Sequence, residues 1–320
     1  MRYQKQEIFL GKDLQKKIEK SKIAVVGLGA LGSVVADQLV RAGVKELILI
    51  DRDFVEESNL QRQTLYNEED LLKTKADAAK KRLQKINRKT RIKSFAVNLD
   101  FKNVFMLDKV DLVIDCTDNL ETRFLINEYC KKKKLPWIYG AVAGGRGFVY
   151  NTLNEACFNC IFRNSIGAAT CSSEGIISPA SNIVASIQVM EAFKILNGNG
   201  TKDLIHIDAW NNRIELIKVK KDVNCNVCKG VYEILEGKKS EKEYEIRMCD
   251  TRSIYSIKFK NEINYDKIKK KFDVKIESPV ALAINVLGHE VLVYKYGEVF
   301  VRNCNDASVV RKIAAKIGSI

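Results

Sequence analysis

The chain runs to 320 residues, 46% hydrophobic and 29% charged, which excludes a mainly disordered, collagenous or fibrous protein and leaves room for one large α/β domain plus an appendage. Lysine and arginine exceed aspartate and glutamate by 54 − 40 = +14, a basic excess that suits a polyanionic substrate or an acidic partner without choosing between them. No apolar run approaches the roughly 18 residues of a membrane span, and the start Met1-Arg2-Tyr3-Gln4-Lys5-Gln6 is polar, so the expected location is the cytosol with no membrane partner. The basic residues are read as spread along the chain and mixed with acids, the densest run being Lys131 to Lys134 at a helix end, and no nucleic-acid partner is expected.

In chain order, residues 12–22 read as a helix, followed by the β-rich run Ile23-Ala24-Val25-Val26, the turn Gly27-Leu28-Gly29-Ala30-Leu31-Gly32 and a helical pattern to about Ala42. Leu47-Ile48-Leu49-Ile50-Asp51 is a second buried strand ending in an acid, which completes a βαβ unit with parallel strands. A helix at 72–86, strands at 91–97 and 110–115, a helix at 120–133 and a strand at 137–142 continue the alternation of a doubly wound sheet. After Gly147 come a hairpin-like stretch, an irregular cysteine segment at 157–172, an apolar helix at 180–196 and strands at 204–210 and 213–219, which add antiparallel strands to one side. The charged stretch at 236–243 marks a boundary. Strands at 244–248 and 253–259, a helix at 265–272, a hairpin turning near Tyr296-Gly297 and a helix at 306–317 then read as a small α+β module. The division is 1–229, a linker at 230–243, and 244–320.

Gly27-x-Gly29-x-x-Gly32 between a strand and a helix offers amide donors to a phosphate, the alternative being a turn kept for packing alone. Asp51 is placed to accept from a ribose, a group that NAD and ATP share. Asn59 and Arg62, in Ser58-Asn59-Leu60-Gln61-Arg62-Gln63, together with Lys75 supply the polar and cationic groups a triphosphate needs. Asp118, in Asp115-Cys116-Thr117-Asp118-Asn119, lies at the carboxyl edge of the sheet and reads either as a magnesium ligand or as a helix N-cap. Nine cysteines in such a chain point to metal or catalysis before disulfides, and with His206 and His289 the only histidines, a multi-histidine metal site or a triad is set aside. Cys157-x-x-Cys160 and Cys225-x-x-Cys228 suit a closed tetrahedral zinc site. Cys116 and Cys130 read as buried thiols, and Cys249 and Cys304 carry no motif.

These motifs, in this order, resemble the MoeB/ThiF/HesA adenylyltransferases, relatives of the ubiquitin-activating enzymes, over about residues 1–229. The resemblance implies ATP- and Mg²⁺-dependent adenylation of the C-terminal Gly-Gly carboxylate of a ubiquitin-like sulfur carrier or modifier, with pyrophosphate released. It implies that Asp51 binds ribose, that Asn59, Arg62 and Lys75 bind the phosphates with Gln63 close by, that Asp118 binds magnesium, and that the four paired cysteines hold zinc. It also implies a homodimer in which a basic residue near the N-terminus, here Lys5 in Arg2-Tyr3-Gln4-Lys5-Gln6 where relatives carry arginine, reaches the partner's ATP. Cys171 matches a family cysteine on the loop crossing above the adenylate, a candidate nucleophile for covalent transfer. With no rhodanese-like segment at the C-terminal end, sulfur would come from a separate donor protein. The alternatives are an NAD-dependent dehydrogenase, which leaves Arg62, Lys75 and both cysteine pairs without a task, and a non-enzymatic adapter holding a ubiquitin-like protein.

Overall fold

The computed structural model describes residues 2–153, 155–163, 175–238, 244–249, 254–259, 263–277, 281–295, 297–302, 304 and 306–319. They fall into two compact units, Met1–Gly237 and Lys238–Ile320. The first is built on an eight-stranded sheet in the order β3-β2-β1-β4-β5-β6-β7-β8. Its strands are β1 (Lys22–Val26), β2 (Glu46–Ile50), β3 (Arg91–Phe95), β4 (Leu112–Asp115), β5 (Trp137–Ala143), β6 (Arg146–Thr152), β7 (Leu204–Asp208) and β8 (Arg213–Ile217). The first five run parallel and the last three antiparallel, the Rossmann-like sheet with added strands expected from the alternation of elements.

Successive strand residues feed two separate cores. Ile23, Val25, Leu47, Leu49, Leu112 and Ile114 face a layer made of α2 (Lys12–Lys20), α3 (Gly32–Ala42), α4 (Lys75–Ile86) and α7 (Ser178–Leu196). Ala24, Val26, Ile48, Ile50, Val113 and Trp137 face the opposite layer, which contains α5 (Leu120–Lys133) and the short α6 (Phe158–Phe162). Burial on both faces explains why these strands read as continuous apolar runs instead of alternating ones.

An additional helix, α1 (Gln4–Leu10), precedes α2 and buries none of its residues, so it has no apolar period to announce it. It is anchored by Tyr3 and Gln6: Asn87 Nδ2 donates to Tyr3 Oη at 2.9 Å, and Gln6 Nε2 donates to the Ala42 carbonyl at 3.2 Å. Residues 230–237, read from sequence as the start of a linker, instead pack on the first unit. Ile234 and Leu235 join the α5-side core and donate their N–H groups to the buried Glu128 carboxylate at 3.0 and 2.9 Å.

The second unit is a six-stranded antiparallel sheet, ordered β11-β12-β13-β14-β10-β9, with α8 (Tyr265–Lys271) and α9 (Ala307–Gly318). Its strands are β9 (Tyr244–Cys249), β10 (Ile254–Phe259), β11 (Val274–Glu277), β12 (Ala281–Val286), β13 (His289–Tyr294) and β14 (Glu298–Val301). Its own core joins Ile268 of α8 and Val310, Ile313 and Ile317 of α9 to Ile257, Leu282, Val291 and Val299. Among the described residues no helix is long and apolar enough to cross a membrane.

Candidate functional site

The order 3-2-1-4-5 reverses direction between β1 and β4, and such switch points open a crevice at the carboxyl ends of the strands. The Gly27–Gly32 turn leaves β1 at that point. Gly27 has φ +86°, and a Cβ there would stand 2.7 Å from the Cys116 carbonyl oxygen, so the loop after β4 fits only against glycine. A Cβ on Gly29 would meet nothing nearer than Gln63 Nε2 at 3.8 Å, so this middle glycine faces open space. Packing therefore accounts for the first glycine but not for the second. The turn also leads into the N-terminus of α3, whose first amides suit an anion.

Asp51 follows β2 and is buried. Its carboxylate accepts the Leu28 N–H at 2.5 Å and the Asp53 N–H at 2.7 Å, which ties the glycine turn to the β2 edge. Burial lifts its pKa to about 6 against the opposing pull of Lys75. Lys75, the first residue of α4 after the Thr74 N-cap, is buried too and donates to Asp53 at 3.2 Å. Burial alone would lower its pKa, but Asp53, Asp51 and Asp118 together raise it, so the ammonium is firmly charged and within the field of all three acids. Tyr66 bolts these pieces together, its hydroxyl donating to the Leu28 carbonyl (3.0 Å) or the Lys75 carbonyl (3.3 Å). Nothing in the sequence pattern singles out Tyr66.

The loop Ser58–Gln63 opens in a short 3₁₀ turn, Glu57–Asn59. Asn59 Oδ1 accepts the Glu56 N–H at 3.1 Å, and Arg62 Nη1 donates to the Ser58 carbonyl at 2.8 Å. Gln63, only 3% exposed, lies beside Gly29, and its Oε1 is buried without a hydrogen-bond partner among the described residues. A buried orphan acceptor is costly by about 1–3 kcal/mol unless something donates to it.

Asp118 is exposed at the end of the loop after β4. The cap of α5 is Asn119, whose Oδ1 accepts the Thr122 N–H at 2.9 Å, so the N-cap reading of Asp118 is replaced. Beneath it, Asp115 holds Thr117 through its N–H (2.9 Å) and hydroxyl (2.7 Å). Arg123 lies 3.7 Å from Asp115 and donates to the Thr117 carbonyl, and Gln188 donates to the Asp115 carbonyl at 2.9 Å. Burial raises the Asp115 pKa to about 6, with Arg123 opposing it.

Two expected participants stand apart. Lys5 is exposed on α1, which docks at the C-terminal ends of α3 and α4, whereas the glycine turn is at the N-terminal end of α3. Eleven helical residues separate those ends by roughly 16 Å, so Lys5 does not serve the site of its own chain. Cys171 lies outside the described residues.

Away from the crevice, Cys157, Cys160, Cys225 and Cys228 place their Sγ atoms within 4.8 Å of one another. The recorded pairs are 3.8, 3.5 and 3.6 Å apart. Sulfurs arranged tetrahedrally at Zn–S of about 2.3 Å would be separated by roughly 3.8 Å, so this donor set fits a closed Cys₄ zinc site. Cys116 and Cys130 are buried thiols whose pKa values burial raises, and Cys304 is buried in the second unit.

The chain is 39% identical over 220 residues to the sulfur carrier protein ThiS adenylyltransferase of Bacillus subtilis, a match covering 66% of each chain. It is 34% identical over 239 residues to the molybdopterin-synthase adenylyltransferase of Escherichia coli, covering 71% of this chain and 96% of that one. Among solved structures, E. coli MccB superposes with a TM-score of 0.63 at 21% identity, covering 72% of this chain and 74% of that one, a likeness of fold. With the ThiF family model matching residues 3–227, across the whole crevice and three of the four clustered cysteines, the chain belongs to the ThiF family.

Proposed function

We propose that the chain adenylates the C-terminal Gly-Gly carboxylate of a ubiquitin-like sulfur carrier or modifier, using ATP. The observation that carries this reading is the convergence of buried, charged Lys75 with Asp118 beside an open glycine turn at the switch point. The names of the Bacillus and E. coli relatives add the class of chemistry. A protein carboxylate, with a reference pKa of about 3.3–3.7, is already ionised near neutrality, so no general base is required. One carboxylate oxygen attacks the α-phosphorus, the bond from that phosphorus to the bridging oxygen breaks, and pyrophosphate leaves with the bonding electrons. The residues' task is alignment and charge neutralisation: Asp51 for the ribose, Asn59, Arg62, Gln63 and Lys75 for the phosphates. Asp118 would hold Mg²⁺, which would neutralise phosphate charge.

ATP/pyrophosphate exchange stimulated by a small Gly-Gly-ended protein tests the reading. Reduction of NAD without exchange would replace it with the dehydrogenase, and carrier binding with neither activity would leave an adapter. The dehydrogenase has no use for a buried lysine balanced by three acids. Cys171 contributes nothing to charge at the α-phosphorus, so Cys171→Ala is expected to keep exchange within about tenfold of the parent even if sulfur transfer fails. A collapse of exchange in folded Cys171→Ala would instead make that cysteine part of the nucleotide site.

A homodimer completes the site in this reading. Lys5 cannot reach its own crevice, and Ile8 and Phe9 of α1 are 73% and 90% exposed, with Ile183 and Met190 of α7 exposed on the same helical layer. Phe9→Asp should shift the sedimenting species toward monomer. Lys5→Ala should remain dimeric yet lose activity, and an equal mixture with Asp118→Ala protomers should recover roughly a quarter of the parent rate, since half the dimers then carry one complete site. No recovery would remove the exchange of Lys5 between protomers.

A further inference from the structure

Besides the short run Lys131 to Lys134, the chain carries a longer basic segment at residues 80–93: eight of its fourteen residues are lysine or arginine, and no acid occurs from residue 78 to 99. The fold turns this run into one surface. Ala76, Ala78, Ala79 and Leu83 bury one side of α4, which leaves Lys81, Arg82 and Lys85 exposed on the other, and Arg88, Lys89 and Arg91 follow exposed in the turn and at the start of β3. Among the described residues Lys80, Lys81, Arg82, Lys85, Arg88 and Lys89 make no ion pair. The neighbouring acids are already engaged: Asp37 with Arg41 at 2.7 Å, Glu46 with Lys93 at 2.7 Å and Arg91 at 3.9 Å, and Asp77 with Ser94 and Thr74. Beside the patch a cleft of about 330 Å³ is lined by Arg41, Arg82 and Lys85, by Thr64, Leu65 and Ile86, and by Asp37, which is paired with Arg41. Thr64 and Leu65 directly follow the Asn59–Gln63 loop in the chain.

We propose that this surface binds the phosphate backbone of double-helical RNA. Like-charged side chains held this close without acids repel one another, and a polyanion relieves that repulsion while releasing its own counterions. A protein partner is disfavoured on the patch itself because interfaces need an apolar centre: no large hydrophobic side chain is exposed between Leu72 and Phe101, and the exposed Ile8 and Phe9 of the adjoining α1 belong to the proposed dimer surface. The patch is also short, the helical part from 80 to 85 spanning roughly 8 Å. The deep, narrow major groove of an A-form helix brings two rows of phosphates close together, whereas the B-DNA major groove is about 12 Å wide. The exposed groups are lysine and arginine side chains, which meet phosphates as charges, so contact is independent of base sequence.

The test uses the full chain, a fluorescein-labelled RNA stem of about 16 base pairs, and anisotropy measured across a salt series. The expected result is binding whose log–log salt slope is about −4, for four to five neutralised phosphates. The triple variant Lys81→Glu/Lys85→Glu/Lys89→Glu should weaken it more than tenfold while ATP/pyrophosphate exchange stays within about twofold. The control Lys218→Glu/Lys220→Glu/Lys221→Glu makes the same change in net charge on another surface and should leave RNA affinity nearly unchanged. Equal weakening by both variants would reduce the effect to overall charge and overturn the site. Equal affinity for a B-DNA duplex, or tighter binding of a poly-glutamate peptide, would overturn the choice of RNA.

Discussion

Asp118→Ala and Arg62→Ala are each expected to lower carrier-stimulated ATP/pyrophosphate exchange by about 10² or more, with the fold intact. The stability half of that expectation follows from position. Asp118 is exposed and its neighbour Asn119 supplies the α5 cap, so removing the Asp118 carboxylate leaves no helix end unsatisfied. Arg62 is half-buried and its recorded bond is to the Ser58 carbonyl within its own turn. The activity half follows from charge: the transition state concentrates negative charge on the departing pyrophosphate, and few cations replace water there. Lys75 differs, because its ammonium balances Asp51 and Asp53 in a buried setting, so Lys75→Ala should lose stability along with activity. Near-normal exchange in folded Asp118→Ala would overturn the magnesium assignment. Such a result in Arg62→Ala would leave Lys75 as the cation among the assigned phosphate contacts.

How much of this was legible in sequence depends on whether a feature is local. The glycine turn, the acid ending β2 and the paired cysteines each occupy a few consecutive positions with a fixed chemical meaning, and they stand out without the fold. The supports do not. Tyr66 bridges Leu28 and Lys75, and Gln188 of α7 reaches the Asp115 carbonyl from 73 positions away. Arg123 reads as one more charge on a helix, yet it is buried against Asp115 and Thr117. Helix α1 escaped because it docks through Tyr3 and Gln6 and not through an apolar stripe. The 80–93 run was passed over for the opposite reason: averaged over the chain its charge is diluted by acids elsewhere, and only the burial of one side of α4 gathers it into a surface.

Cys225→Ser is expected to remove zinc and stability together. Cys157 and Cys225 are 68 residues apart, and the site closes the chain between them. By the loop-entropy relation used for covalent cross-links, such a closure restricts the unfolded chain by about 4 kcal/mol. At roughly 2–4 °C per kcal/mol for a unit of this size, the melting temperature should fall by about 10 °C. Cys157 and Cys225 are buried, and burial raises both thiol pKa values, so without a cation these thiols stay neutral and cannot hold the corner by charge. The local core offers little in reserve, since the buried cluster there is Cys157, Cys225 and Val227 with Tyr232 packed against it. Because Cys157 caps the short helix α6 and Phe158 is wholly buried against Phe124, Trp137 and Tyr139, loosening this corner should loosen the floor beneath β5 as well. Elemental analysis should find one zinc per parent chain and far less in the variant. Freshly purified parent protein without zinc, or a variant melting at the parent temperature, would show that the four thiols pack without a metal.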